Sequence, residues 1–126
     1  MIRAYINENR TRFMEEWASL IRIPSVSCQP AHRDDMLRCA ERWRELLLQA
    51  GAQHAEVMPS AGNPFVYAEY SPMEVKGERL EVKGKNIPTV LVYSHYDVMP
   101  VEPLNLWHSN PWEPDIRDGR LYARGA

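Results

Sequence analysis

One run limits this chain more than any other: Val90-Leu91-Val92-Tyr93-Ser94-His95-Tyr96-Asp97-Val98-Met99-Pro100. β-Branched and aromatic residues in a short apolar stretch predict a buried strand over Thr89–Ser94. Pro100 ends the run, because it has no N–H to give to a ladder. A strand that runs into His95 and Asp97 sets two metal-competent side chains at its carboxyl edge, where open α/β sheets bind ligands. Residues two apart on an extended chain point to the same side. Two readings fit that placement. In one, His95 ligates a metal and Asp97 orients the imidazole or shares the metal. In the other, the pair is structural, since a His-x-Asp tripeptide recurs by chance.

Around this run the chain has room for one domain at most, with 126 residues. A formal charge of −2 and a pI near 6.1 give no basis for a nucleic acid or an anionic membrane as partner. No apolar stretch is long enough for a transmembrane helix. Met1–Tyr5 carries no signal region, so the expectation is a cytoplasmic protein. In that setting Cys28 and Cys39 are expected as thiols. Cys39 falls on an apolar helix face, as a small core residue does.

The periodicity predicts a helix over about 2–22, with Ile2, Ile6, Phe13, Trp17, Leu20 and Ile21 at helical spacing, stopped by Pro24. A loop follows over 25–33. A second helix is predicted from about Asp34, an N-cap or first-turn acid, to Gln49. Its stripe is Met36, Cys39, Ala40, Trp43, Leu46 and Leu47, and Gly51 is its stop. The period then changes to that of strands: a short one around Ala55 and Val57, and a stronger one over Phe65–Tyr70. An exposed hairpin is predicted from Val75–Glu78 and Leu80–Val82. Gly119 marks a turn before a last strand, Arg120–Tyr122. Helices followed by strands make an α/β layer.

Several ordered motifs accompany the His-x-Asp. Ile23-Pro24-Ser25-Val26-Ser27 follows the first helix, and Gly62-Asn63-Pro64-Phe65-Val66-Tyr67-Ala68 opens the stronger strand. Downstream stand Trp107, Asn110-Pro111-Trp112-Glu113-Pro114, and Asp118-Gly119-Arg120-Leu121-Tyr122-Ala123-Arg124-Gly125-Ala126. From about Glu8 to Ala126 this series resembles the M20 metallopeptidases, nearest the dipeptidase branch with aminoacylases and carnosinases. Ser94 and Ala123 stand where that family commonly has Gly.

The resemblance implies an α/β fold: part of a zinc-peptidase catalytic domain, with two N-terminal helices packed on a mixed sheet. It implies His95 as a zinc ligand and Asp97 as a catalytic partner that fixes the imidazole without ligating. It implies two zinc ions in the intact enzyme and a small peptide as substrate. In that family R-G-A is followed by a bridging Asp, the paired glutamates and a lid or dimerisation domain. Residues 1–126 are therefore expected to be the N-terminal portion of a longer catalytic domain, binding zinc weakly or not at all and inactive alone. His32, His54 and His108 are expected in structural or solvated roles, and Tyr96 in packing. Trp107, Trp112 and Pro114 are expected to hold the loop over the sheet edge. Arg124 is expected either in a salt bridge or in support of the segment that follows. Two alternatives stay open. One is a non-catalytic α/β binding module that self-associates through an exposed sheet edge. The other is a different metal hydrolase built on His95, Asp97 and His108.

Overall fold

The structure is a computed structural model, and it describes residues 1–71, 74–75, 78–79 and 88–126. The first predicted helix is present as two, α1 (Ile2–Glu8) and α2 (Arg10–Ile21), separated at Asn9 with φ −102° and ψ 7°. Asn competes locally for backbone groups. Its Nδ2 donates to the Tyr5 carbonyl at 2.9 Å, and its Oδ1 accepts from Arg12. The apolar stripe is buried only at its far end: Ile21 is buried, whereas Ile2, Ile6 and Trp17 are exposed. Trp17 is thus not the core residue that its spacing predicts.

The second predicted helix, α3 (Arg33–Gln49), matches its expected span within a residue. Asp34 lies in its first turn, where a carboxylate favours the helix dipole. Met36, Cys39, Ala40 and Leu46 are buried, and Trp43 and Leu47 half-buried. Gly51, at φ +106°, takes the left-handed conformation that ends the helix. α3 packs on an antiparallel pair, β1 (His54–Met58) and β2 (Phe65–Glu69), in the register His54 to Glu69 and Met58 to Phe65. This is the helix-on-sheet layer of an α/β fold. Two more antiparallel pairs follow: β3 (Glu74–Val75) with β4 (Glu78–Arg79), and β5 (Asp115–Arg117) with β6 (Arg120–Tyr122). The predicted hairpin thus closes at 74–79, and its second arm at 80–82 lies outside the described residues. Asp118 and Gly119, both at positive φ, make the two-residue turn that antiparallel strands favour.

The predicted strand over Thr89–Ser94 does not form among the described residues. Val90, Leu91, Val92 and Tyr93 are 81–89% exposed. A strand is stabilised by its ladder, and no described residue pairs with this stretch. Pairing starts only at Val98, which makes a single parallel bridge to Val26 and donates its N–H to the Ser25 carbonyl at 2.9 Å. This parallel bridge is isolated and joins none of the three antiparallel pairs, and α2 packs on α3 rather than on a strand, so the described residues hold separate two-stranded sheets in place of the expected mixed sheet.

The core gathers Ile21, Val26, Met36, Cys39, Ala40, Leu46, Ala55 and Val101. The C-terminal segment is clipped to it from outside. Arg22 donates to Glu113 through Nε (3.0 and 3.1 Å) and Nη2 (2.6 Å), across 91 residues of chain. Those bonds hold the Glu113 carboxyl below its usual range and raise Arg22. The pair is exposed to solvent, so its contribution is small and salt-sensitive.

Candidate metal centre

The Ser25–Val26–Ser27 segment, just after α2, lies alongside Tyr96–Asp97–Val98. The buried Ser25 hydroxyl donates to the Tyr96 carbonyl at 2.9 Å. With the Val26–Val98 bridge, this fixes the backbone on both sides of Asp97. The Tyr96 hydroxyl donates to the Pro64 carbonyl at 2.5 Å, tying the same segment to the loop before β2. Partial burial, with Cys39 and Asp97 adding, pushes the Tyr96 phenol up to about 12, so it stays protonated as a donor. Tyr96 is half-buried, in keeping with a packing role.

Asp97 uses both carboxylate oxygens. Oδ2 accepts from the Ser27 hydroxyl at 2.5 Å, and Oδ1 lies 3.0 Å from His95 Nδ1. These partners, Ser27 first, hold the carboxyl below its usual range against an opposing effect of burial. The neutral imidazole that satisfies Asp97 carries its proton on Nδ1, which leaves the Nε2 lone pair free. The His95 side chain is 79% exposed. An imidazole with Nδ1 on a carboxylate and Nε2 toward solvent is the arrangement of a metal-ligating histidine with its outer partner. His95 and Asp97 thus meet at a solvent-facing edge, although the segment before them is not a strand.

Two of the other histidines face carboxylates elsewhere. His32 Nδ1 lies 2.6 Å from Asp35 Oδ2, and His54 Nε2 lies 3.6 Å from Glu56 Oε1. His108 is exposed. Among the described residues no group of three or more His, Cys, Asp or Glu side chains is placed to hold a metal, so His108 does not join His95 and Asp97. His95 Nε2 fits one coordination position of a zinc ion, and the described residues supply no further set.

Among the described residues Arg124 makes no salt bridge. Its guanidinium stacks over the Trp107 ring, 5.0 Å from the centroid, and its buried Nε has no hydrogen-bond partner. Trp107 in turn donates Nε1–H to the Val101 carbonyl at 2.8 Å, which anchors the loop as expected of a packing residue. Gly125 lies close against Val98, the neighbour of Asp97. At φ +86°, a Cβ there would stand 2.8 Å from Val98 Cγ1. Ser27 was not singled out by the sequence. Its partner lies 70 residues away, and no spacing signal connects a hydroxyl to a carboxylate over that distance.

Residues 91–126, which include His95 and Asp97, match peptidase family M20/M25/M40. The chain is 34% identical over 121 residues to a cysteinylglycine-S-conjugate dipeptidase of Corynebacterium striatum, covering 96% of this chain and 24% of that protein. It is 52% identical over 44 residues to a succinyl-diaminopimelate desuccinylase of Thiobacillus denitrificans, covering 35% of this chain and 11% of that one. The crystal structure of human carnosine dipeptidase 1 superposes with a TM-score of 0.75 at 24% identity, over 98% of this chain and 26% of that one. That last likeness is one of fold. The chain spans about a quarter or less of the length of each of these relatives.

Proposed function

We propose that this chain belongs to peptidase family M20/M25/M40 and that residues 1–126 are the N-terminal portion of the catalytic domain of a longer hydrolase that cleaves dipeptides or related small amides with zinc. One observation carries the reading: within the matched segment, His95 offers a free Nε2 while its Nδ1 rests on Asp97. His95 is the zinc ligand, and Asp97 fixes its tautomer and orientation. Zinc bound there lowers the pKa of its water and polarises the scissile carbonyl. A catalytic zinc takes about three protein ligands. Residues 1–126 are therefore expected to retain little zinc after dialysis and to leave dipeptides intact, whereas a longer protein carrying them hydrolyses dipeptides or N-acyl amides with zinc bound. Metal analysis beside a hydrolysis assay checks both. Stoichiometric zinc on residues 1–126, or cleavage by them, overturns the division of the site. Failure of the zinc-loaded longer protein on both substrate classes overturns the hydrolase.

No helix among the described residues is long and apolar enough to cross a membrane. Cys28 and Cys39 are both free, Cys28 exposed and Cys39 buried.

A second reading has its own support. Among the described residues the apolar run Val90–Tyr93 is exposed and pairs with no strand, an edge of the kind that recruits another copy. Residues 1–126 alone are expected to sediment above their monomer mass, and Leu91→Lys to return them to it. A wild-type monomer at tens of micromolar would sink this reading.

A further inference from the structure

We propose that Ser27 is a positioning residue for the His95 imidazole, acting through Asp97. The proposal rests on the assignment of His95 and Asp97 given above and names what holds that pair in place. His95 is 79% exposed, so packing does little to fix its ring. Its orientation rests on the contacts of Nδ1: Asp97 Oδ1 at 3.0 Å and the Asp97 carbonyl at 3.1 Å. An aspartate carboxylate turns broadly about its terminal torsion unless both oxygens are held. Ser27 holds the second one, at 2.5 Å. Ser25 and Val26 grip only backbone atoms of the same segment. Ser27 therefore differs from its neighbours: it touches the carboxylate itself, and through it sets which imidazole nitrogen carries the proton.

The other features of the molecule lead less far. The open cleft between Gln29, His32 and Pro100–Trp112 holds nothing that selects a ligand class. The buried Arg124 Nε has no hydrogen-bond partner among the described residues, but its guanidinium is already engaged on the Trp107 ring.

The test needs neither metal nor substrate. Long-range ¹H–¹⁵N spectra of the imidazoles, recorded near pH 8 where a histidine is neutral, read the tautomer of His95 directly. Wild type is expected to show mainly the Nδ1–H form. Ser27→Ala is expected to shift the Nδ1–H to Nε2–H ratio about 3- to 10-fold toward Nε2–H, the worth of one net hydrogen bond. Ser27→Thr keeps the hydroxyl and is expected to hold the wild-type ratio. The Val98 amide, bonded to the Ser25 carbonyl, reports whether the segment is otherwise intact. If Ser27→Ala fails to fold, Ser27→Cys replaces it, since a thiol is a weak donor of similar size. An unchanged ratio in whichever of these folds overturns the proposal. Wild-type His95 held mainly as Nε2–H also overturns it. Because the readout is a tautomer in the protein as it stands, it separates from the hydrolase reading: a longer protein without amidase activity would leave the ratio untouched.

Discussion

His95→Ala in the zinc-loaded longer protein is expected to lower kcat/KM for a dipeptide by more than about 100-fold and to release one metal's worth of affinity, exceeding what loss of an outer partner costs. The reason is chemical. Alanine leaves no lone pair where Nε2 stood, and no described neighbour is placed to substitute. Asp97→Asn is expected to behave differently. The asparagine carbonyl can still accept from His95 Nδ1–H, so most of the metal stays. The charge that raises imidazole basicity is gone, and the Ser27 hydroxyl must turn from donor to acceptor. The expected cost is about 10–100-fold in activity. Metal content measured beside kcat/KM for both variants checks the pair. Wild-type activity in His95→Ala removes His95 from the site. Equal metal loss in the two variants would make Asp97 a ligand rather than an orienting group.

The sequence made some of this legible and hid the rest for physical reasons. α3 was plain because its stripe, its first-turn acids and its Gly51 stop all agree. The Asp118-Gly119 turn was plain because its chemistry is local. The break at Asn9 was not, since the apolar period runs straight through it and only its side-chain bonds to Tyr5 and Arg12 mark it. The stretch Thr89–Ser94 reads as a strand because its residues favour one, but strand structure belongs to a pair and no described residue supplies the other half. At the centre, His95 and Asp97 were legible as residues two apart. Ser27 was not, because its role depends on a contact that folding alone creates.

The closeness of the Gly125 turn to Val98 gives the second large effect. Gly119 and Gly125 both sit at positive φ, +73° and +86°. A side chain at either position carries the left-handed backbone cost of about 1–2 kcal/mol. Their surroundings differ: a Cβ on Gly119 meets nothing within 4 Å, whereas one on Gly125 meets Val98 Cγ1 at 2.8 Å. Val98 cannot yield freely. Its N–H is bonded to the Ser25 carbonyl, and it is bridged to the buried Val26. Gly125→Ala is therefore expected to destabilise the protein more than Gly119→Ala by about 1–3 kcal/mol, the cost of overpacking. Urea unfolding of the two variants beside wild type measures the difference. Displacing Val98 also disturbs Asp97 next to it, so the His95 imidazole signal is expected to move in Gly125→Ala and stay in place in Gly119→Ala. Equal losses of stability in the two variants would mean that Val98 gives way at no cost and that the turn does not brace the centre.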